Sequence, residues 1–176
     1  MRKIVHAPQA VLTTPAKPVE KINTDIVSLV KDMEKTLNVQ VDPQGVGLAA
    51  PQVGVSLSLF IAKPNPDGEI TVYINPKILE TSSVTPPKPS KRKSHRLEGC
   101  LSIPLIWSPV TRPTKVRVEY LDLTGKKHQK WVQGFMAVIF QHEVDHLNGI
   151  LFTQRALEQK RPLYEEKDGK LNKLEY

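Results

Sequence analysis

The sequence predicts an α+β fold in which antiparallel or mixed β-sheets pack around a central helix, with a further helix near the N-terminus. Two observations predict this class. Apolar residues recur with a helical period near the start and again near residue 140, and alternating patterns typical of strands occupy the region between. No repeated strand and crossover helix occurs, so a parallel doubly wound sheet is not expected.

Length and composition fit one compact domain. The chain has 176 residues, of which 39% are hydrophobic and 24% charged, and one cysteine, Cys100. A single cysteine excludes an intramolecular disulfide, and no stretch approaches the roughly 20 apolar residues that cross a bilayer. The first residues lack the apolar segment of a signal peptide, so the sequence favours a cytoplasmic protein without membrane association.

Much of the net charge of +7 lies in one segment. Five basic residues, three prolines and no acidic residue lie between Thr81 and Leu97. This pattern indicates a stiff surface loop, and a solvated insertion is favoured over a binding patch. No nucleic-acid motif accompanies the loop, so direct sequence-specific binding of nucleic acid is not expected.

The first helix is predicted to begin behind Asn23 and Thr24, either of which can serve as its N-cap. One helical face collects the apolar residues Ile26, Leu29, Val30, Met33 and Leu37. We therefore expect an amphipathic helix that buries this face.

Two hairpins are predicted next. Residues 57–63 and 70–74 are short apolar runs separated by five residues rich in Pro, Asn, Asp and Gly. Residues 116–120 alternate apolar and charged side chains, and an Asp-Leu-Thr-Gly turn leads to a partner strand at 128–132. The second hairpin should bury one face.

A second helix is predicted from Phe135, and Gly149 is positioned to end it. Its first two turns are apolar on most sides, so it should be central and buried. Residues 154–176 are charged and are interrupted by Pro162 and Gly169. We expect at most a short, weakly held helix in this tail.

The second helix contains the motif His142-Glu143-Val144-Asp145-His146. Residues four apart lie one turn apart on the same face, so both imidazoles can bind one metal ion and Glu143 can reach a water on that ion. Burying these ionisable groups without a ligand would cost several kcal/mol. The central helix is therefore predicted to be a metal-binding helix.

A catalytic site of this type needs a third protein ligand. The metzincin protease pattern would place it at Phe152, which cannot ligate a metal. The thermolysin-like pattern would use Glu165 or Glu166, although Pro162 interrupts the helix that should position them.

Cys100 is the third candidate, because one thiolate and two imidazoles form a known ligand set. Gly99 permits a close backbone approach, and Glu98 can support a ligand from behind. A lone cysteine is also common in cores, so the residues alone leave the third ligand open.

A glycine-rich passage runs from Gly45 to Gly54. Its glycines let backbone approach a ligand, and it lacks the lysine and hydroxyl residues of a phosphate-binding loop. Gln52 can donate to an anionic intermediate or bond to a neighbouring turn, and the residues do not distinguish these roles.

Three motifs, in this order, resemble the signature motifs of the peptide deformylase family. They are Gly45-Val46-Gly47-Leu48-Ala49-Ala50-Pro51-Gln52, Glu98-Gly99-Cys100-Leu101-Ser102 and Gln141-His142-Glu143-Val144-Asp145-His146-Leu147-Asn148-Gly149. The resemblance extends with lower similarity over residues 3–153. It divides the chain into a catalytic domain at 1–153 and a charged tail at 154–176, in which a short helix is expected.

The resemblance implies a metallo-amidohydrolase that removes the formyl group from the N-terminal formylmethionine of newly made bacterial proteins and releases formate. It implies one divalent metal ion, natively Fe(II), for which Zn(II), Ni(II) or Co(II) can substitute. N-formylmethionyl nascent polypeptides are the implied partners, and the ribosome near its exit tunnel is a further candidate.

The resemblance also assigns site residues. Cys100, His142 and His146 are the implied metal ligands, and Glu143 is the implied general base and acid. Gln52 and the backbone N–H of Leu101 are the implied oxyanion donors. The residues implied to line the substrate peptide are Val46, Gly47 and Gly99, and those implied to form the methionine pocket are Phe135, Val138 and Ile139.

The chain departs from the family's pattern in four places. Many members have an Asp-Pro-x-Leu-Arg run where this chain has residues 7–13, and the basic segment before Glu98 is long here. At residues 105–107, Leu-Ile-Trp stands where many members have Gly and some then place an Arg that holds the substrate backbone. The extended C-terminal helix of some bacterial members is shortened and interrupted by Pro162.

Two alternative functions are carried forward. One is a thermolysin-like metallopeptidase with Glu165 as the third ligand. The other is a noncatalytic basic protein that binds the ribosome or RNA. Bound metal would separate both enzymes from the binding protein, which needs no divalent ion.

Overall fold

The computed structural model describes residues 1–41, 44–82 and 97–175. The α-helices in these ranges are Thr24–Asn38 (α1), Phe135–Leu147 (α2) and Phe152–Glu158 (α3), with short 3₁₀ helices at Ala10–Leu12 and Ala50–Val53. The described strands are Gly47–Ala49 (β1), Leu59–Ala62 (β2), Thr71–Thr81 (β3), Glu98–Cys100 (β4), Ile103–Ser108 (β5), Lys115–Leu121 (β6), Lys127–Gln133 (β7), Tyr164–Lys167 (β8) and Lys170–Lys173 (β9).

The strands form two antiparallel sheets, one ordered β1-β2-β3-β6-β7 and the other β4-β5-β8-β9. The predicted α+β class is confirmed. Most of the predicted basic loop, residues 83–96, lies outside the described residues. No helix in the described ranges is long and apolar enough to cross a membrane.

The first helix begins as predicted. The side-chain Oδ1 of Asn23 accepts hydrogen bonds from the N–H groups of Asp25 and Ile26, both at 3.1 Å, and so caps α1. The predicted apolar face of α1 is buried in one hydrophobic cluster with Leu48 of β1 and Ile61 of β2. Helix α1 therefore covers one face of the larger sheet.

Both predicted hairpins are confirmed, as β2–β3 and β6–β7. Strand β3 is longer than the predicted 70–74 because its pairing with β6 continues past Pro76. The register shifts between Ile74 and Lys77, and Asn75 has a φ of +48°. This irregularity accommodates Pro76 within the strand.

Helix α2 is buried between the sheets, as predicted, and ends at the expected glycine. Gly149 has a φ of +71°, its N–H donates to the His146 carbonyl at 3.1 Å, and the Ile150 N–H donates to the Asp145 carbonyl at 2.9 Å. A methyl group on Gly149 would lie 2.7 Å from the carbonyl carbon of Thr13. Only glycine fits this close approach without a shift of the backbone.

The C-terminal region differs from the expectation of a short helix alone. Helix α3 is present, and β8 and β9 then form a hairpin that pairs with β5 through Ile106 opposite Glu165. Gly169 was interpreted as an interruption, whereas Asp168 and Gly169, with φ of +53° and +69°, form the hairpin turn. The strands were missed because their mostly charged, exposed residues show no apolar alternation, and pairing with a distant strand stabilises them.

Candidate metal centre

The three predicted metal ligands lie together. Cys100 ends β4, and His142 and His146 lie one turn apart on α2. Their ligand atoms are all within 4.8 Å of one another, and Cys100 Sγ is 3.1 Å from His146 Nε2. Helical spacing aligns the two imidazoles, and the packing of β4 against α2 supplies the thiol.

The surroundings of Cys100 favour the thiolate, which is the form that ligates metals. Burial opposes ionisation, but the charge of His146 and hydrogen bonds with both histidines hold the pKa of the thiol well below its usual range. The pKa of His142 shifts in the opposite direction. Burial acts to lower it, but interactions with Cys100 and Glu98 raise it well above its usual value.

A buried ion pair orients His142 from behind. Glu98 Oε2 lies 3.2 Å from His142 Nδ1, and Arg112 donates from Nε to Glu98 Oε1 at 2.6 Å and from Nη2 to Oε2 at 3.0 Å. The sequence predicts this role for Glu98 but does not indicate Arg112. No local pattern marks Arg112, because it reaches the site from the segment before β6.

Arg112 also joins the site to a second carboxylate on α2. Its Nη1 donates to Asp145 Oδ2 at 2.8 Å, and Arg155 of α3 donates to Asp145 Oδ1 at 2.8 Å. Arg112 and Asp145 are 7% and 9% exposed, so their charges are buried and paired. The sequence alone assigns no role to Asp145, although an acid three residues after a ligand on a buried helix is a usable signal.

The environment of Glu143 differs from that of Asp145. It is 3% exposed, and its Oε2 has no hydrogen-bond partner among the described residues. Burial raises the pKa of Glu143 to about 6, although the charges of His142 and His146 act to lower it. Glu143 directly follows His142 on α2, so its carboxylate lies near the donor set.

Gly47 of β1 lies against Glu143. A methyl group on Gly47 would meet the Glu143 carboxylate, with Cδ at 2.8 Å. The missing side chain therefore leaves the space that the carboxylate occupies.

Gln52 makes one of the two interactions that its sequence context allowed, the bond to a neighbouring turn. Its Oε1 accepts a hydrogen bond from the Ala49 N–H at 2.8 Å, which bonds it to the neighbouring turn. Its Nε2 lies 3.4 Å from Cys100 Sγ and 3.3 Å from Ser102 Oγ. The amide is therefore fixed with its donor end towards the thiol.

The residues predicted to line a substrate peptide lie on two edge strands or beside them. Val46 and Gly47 lie before and in β1, and Gly99 lies in β4. Strands β1 and β4 each end their sheet among the described strands. Leu101 follows Cys100 in the two-residue turn between β4 and β5.

The predicted methionine-pocket residues lie in the first turns of α2. Phe135 and Val138 are half-buried, and Ile139 is buried in the core cluster that includes Phe60 and Phe140. The spacing from Phe135 and Val138 to His142 places these three on one face of the helix.

Glu165 is not part of the donor set. It is exposed on β8, opposite Ile106, and the Cys100 group is the one three-residue metal-ligating cluster in the described ranges. The indole Nε1 of Trp107 donates to Glu166 Oε2 at 2.8 Å, so the second candidate acid has a different role. The hypothesis of a thermolysin-like ligand set is therefore not supported.

The chemistry of the donors fits a divalent ion. An easily ionised thiol and two imidazoles, close together in a buried position, match the three-ligand sets of catalytic metal sites. A hydrogen-bonded carboxylate behind one imidazole is the usual support for such a ligand. With Glu143 nearby, whose Oε2 has no partner among the described residues, the fold and the site define a class, the hydrolases with a possible metal site at these three ligands.

Comparison with known proteins gives the family. Residues 1–162 match the sequence profile of the family described as polypeptide deformylase. A peptide deformylase of Bradyrhizobium diazoefficiens is 39% identical over 92% of this chain and 90% of its own length. A peptide deformylase of Novosphingobium aromaticivorans is 36% identical over 98% of each chain.

The fold agrees with these matches. The crystal structure of a peptide deformylase from Legionella pneumophila superposes with a TM-score of 0.74 and 36% identity, over 91% of this chain and 92% of that chain. The chain belongs to the polypeptide deformylase family, whose members remove N-terminal formyl groups. Neither the metallopeptidase nor the noncatalytic alternative is supported.

Proposed function

We propose that this chain deformylates newly made polypeptides with Cys100, His142 and His146 holding one divalent ion and Glu143 moving the proton. The observation on which this rests is the buried, unpartnered Oε2 of Glu143 beside the donor set. An isolated buried carboxyl is costly for stability, and a role in proton transfer accounts for it.

The bound ion would supply Lewis acidity, polarising the formyl carbonyl and making water easier to deprotonate. Thiolate and imidazole ligands suit Fe(II), Zn(II), Ni(II) and Co(II), and the family resemblance favours Fe(II) as the native ion. Glu98 and Arg112 would keep His142 in the tautomer and orientation that ligation needs.

The proton follows a short path in this proposal. Glu143 accepts a proton from the attacking water and passes it to the nitrogen of the leaving amine, so that formate and a free N-terminus result. Gln52 Nε2 and the Leu101 backbone N–H donate to the formyl oxygen as negative charge develops on it. The Ala49 N–H holds the Gln52 amide in place, so little reorganisation is needed.

The substrate is proposed to bind as an extended strand against the edges of β1 and β4. An added strand obtains main-chain hydrogen bonds from an edge that is unpaired among the described strands, and the main chains of Gly47 and Gly99 lie on these two edges. Phe135, Val138, Ile139 and Val46 would form an uncharged pocket that suits a methionine side chain. The backbone beside the formyl hydrogen would exclude a larger acyl group.

Nascent formylated polypeptides are the proposed substrates, in the bacterial cytoplasm. Contact with the ribosome near its exit tunnel and a catalytic domain limited to residues 1–153 stay predictions. The pairing of β8 with β5 adds residues beyond 153 to the sheet that contains Cys100, so truncation after residue 153 is expected to weaken this sheet.

The test is formate release from a formyl-Met peptide by anaerobically purified, iron-loaded protein. Cys100→Ala should lose both metal and activity, because one of three ligands is removed. Glu165→Ala is the matched control and should keep both. Full metal content in the Cys100 variant would refute the proposed ligand set.

Substrate selectivity tests the proposed methionine pocket separately from the metal ligands. Formyl-Met peptides should be cleaved at least about tenfold better than formyl-Asp peptides, since a charged side chain loses the apolar contacts. Acetyl-Met peptides should be cleaved negligibly. Comparable kcat/KM values for acetyl-Met and formyl-Met peptides would contradict the proposed close approach of Gly47 and Gly99.

A further inference from the structure

The indole of Trp107 extends across the smaller sheet. Trp107 lies on β5, and its Nε1 donates to Glu166 of β8 on one side. On the other side, a methyl group on Gly99 of β4 would lie 2.6 Å from the Cζ3 atom of Trp107 and 2.8 Å from Cε3. The pyrrole end therefore points to β8, and the benzene edge covers β4.

Gly99 makes this reach possible. Any side chain at this position would collide with the ring, so a glycine lets the indole cover the strand that ends the sheet. Trp107 as a whole is half-buried. A strand added to the outer edge of β4 would come next to this benzene edge.

Alternation of side chains identifies which substrate residue would meet the ring. Glu98 and Cys100 point towards α2, where they contact His142 and His146. The ring of Trp107 therefore covers the opposite face of β4. In an extended peptide whose methionine points towards α2, the second residue points to the other face, where Trp107 lies.

We infer that Trp107 is a specificity-determining residue that selects a bulky apolar or aromatic side chain at the second position of the formylated peptide. The inference rests on the proposed function and adds a substrate class to it. Aromatic and aliphatic side chains gain contact area on an indole, whereas glycine offers none and an aspartate would lose hydration.

Glu166 is the positioning residue for this contact. Its carboxylate holds the Trp107 Nε1–H at 2.8 Å, and the pairing of β8 with β5 holds Glu166. The C-terminal hairpin thus fixes the rotamer that extends the ring over Gly99.

The first experiment compares formyl-Met-Phe-Ala with formyl-Met-Gly-Ala on the metal-loaded enzyme. We expect kcat/KM to be about threefold to tenfold higher for the phenylalanine peptide. Trp107→Leu and Trp107→Ala should reduce this ratio towards one. Both kcat/KM values are measured on the same preparation of each variant. A lower fraction of active protein therefore cancels in their ratio.

Glu166 and Trp131 provide matched controls. Glu166→Ala should lower the ratio and Glu166→Gln should restore it, because a glutamine oxygen still accepts from the indole. Trp131→Phe should leave it unchanged, because Trp131 lies on β7 in the other sheet. A ratio near one in the parent enzyme, or one that persists in both Trp107 variants, would overturn the inference.

A binding measurement keeps the inference separate from catalysis. The chain has two tryptophans, so Trp131→Phe leaves Trp107 as the sole indole fluorophore. Titration with the product peptide Met-Phe-Ala should change the emission of Trp107 saturably, and Met-Gly-Ala should bind about threefold to tenfold more weakly. Equal binding of both peptides would refute the role of Trp107, whereas failure to release formate from any formyl peptide would refute the proposed function.

Discussion

Glu143 and Asp145 lie two residues apart on α2 and face different sides of the helix. Asp145 accepts hydrogen bonds from Arg112 and Arg155, so its buried charge is compensated twice. Glu143 is buried just as deeply, yet its Oε2 has no partner among the described residues. One helix therefore contains a buried carboxylate that is paired with two arginines and one whose Oε2 has no partner among the described residues.

The difference follows from what packs against each side. Asp145 faces the guanidinium groups of Arg112 and Arg155, which belong to other segments of the chain. Glu143 faces Gly47, which has no side chain to offer. The comparison predicts that substitutions on the Glu143 side change activity with little loss of stability, whereas substitutions on the Asp145 side lower stability, with an added effect on His142 where Arg112 is removed.

The largest expected effect is on the Glu143 side. Glu143→Gln should retain the metal, because all three ligands remain, but lower kcat about 100-fold to 10,000-fold through loss of proton transfer. Formate release and metal analysis test this together. The free energy of unfolding should not fall, because a neutral amide replaces an unpaired buried carboxyl. Activity within about threefold of the parent would remove Glu143 from the mechanism.

Arg112→Met tests the Asp145 side. Removing the guanidinium leaves Glu98 and Asp145 partly uncompensated in a buried site, which should cost about 3 to 5 kcal/mol of unfolding free energy. Denaturant titration of the metal-loaded protein measures the loss. The control is Arg117→Met, which breaks an exposed pair with Glu80 and should cost less than about 1 kcal/mol. Equal losses of unfolding free energy in Arg112→Met and Arg117→Met would contradict the predicted difference between the buried and the exposed ion pairs.

Gly47→Ala tests whether the position of the Glu143 carboxylate affects kcat without affecting the stability of the protein. The added methyl group displaces the end of a flexible side chain, so unfolding should change little. Moving the carboxylate by about 1 Å should nevertheless lower kcat about 100-fold. Formate release and denaturant titration on the same preparation test both statements. An unchanged kcat would show that Glu143 tolerates displacement.

The smallest expected effect is that of Arg155→Ala. Arg155 is 35% exposed and Asp145 keeps Arg112, so the loss should be about 1 kcal/mol or less after solvent screening. Thermal or denaturant unfolding measures it, with Glu158→Ala as the control for the outer pair of Arg155. A loss as large as that of Arg112→Met would mean that Asp145 depends on both arginines equally.

Features that depend on neighbours along the chain could be predicted from the sequence. Spacing put His142 and His146 on one face of a buried helix, Asn23 marked the start of α1, and Gly149 marked the end of α2. Alternation and turn residues located both large hairpins. These properties follow from local backbone geometry, which a short stretch of sequence specifies.

The tertiary structure decided what depends on distant segments. The residues alone left Cys100 and Glu165 as rival ligands, and packing of β4 against α2 brought the thiol 3.1 Å from His146 Nε2, 46 residues away. Arg112 gave no signal because its two acids lie 14 and 33 residues away. The β8–β9 hairpin had a local Asp-Gly turn signal, but charged exposed strands become visible only through their pairing with β5. Long-range contacts leave no period in the sequence, so only the folded chain shows them.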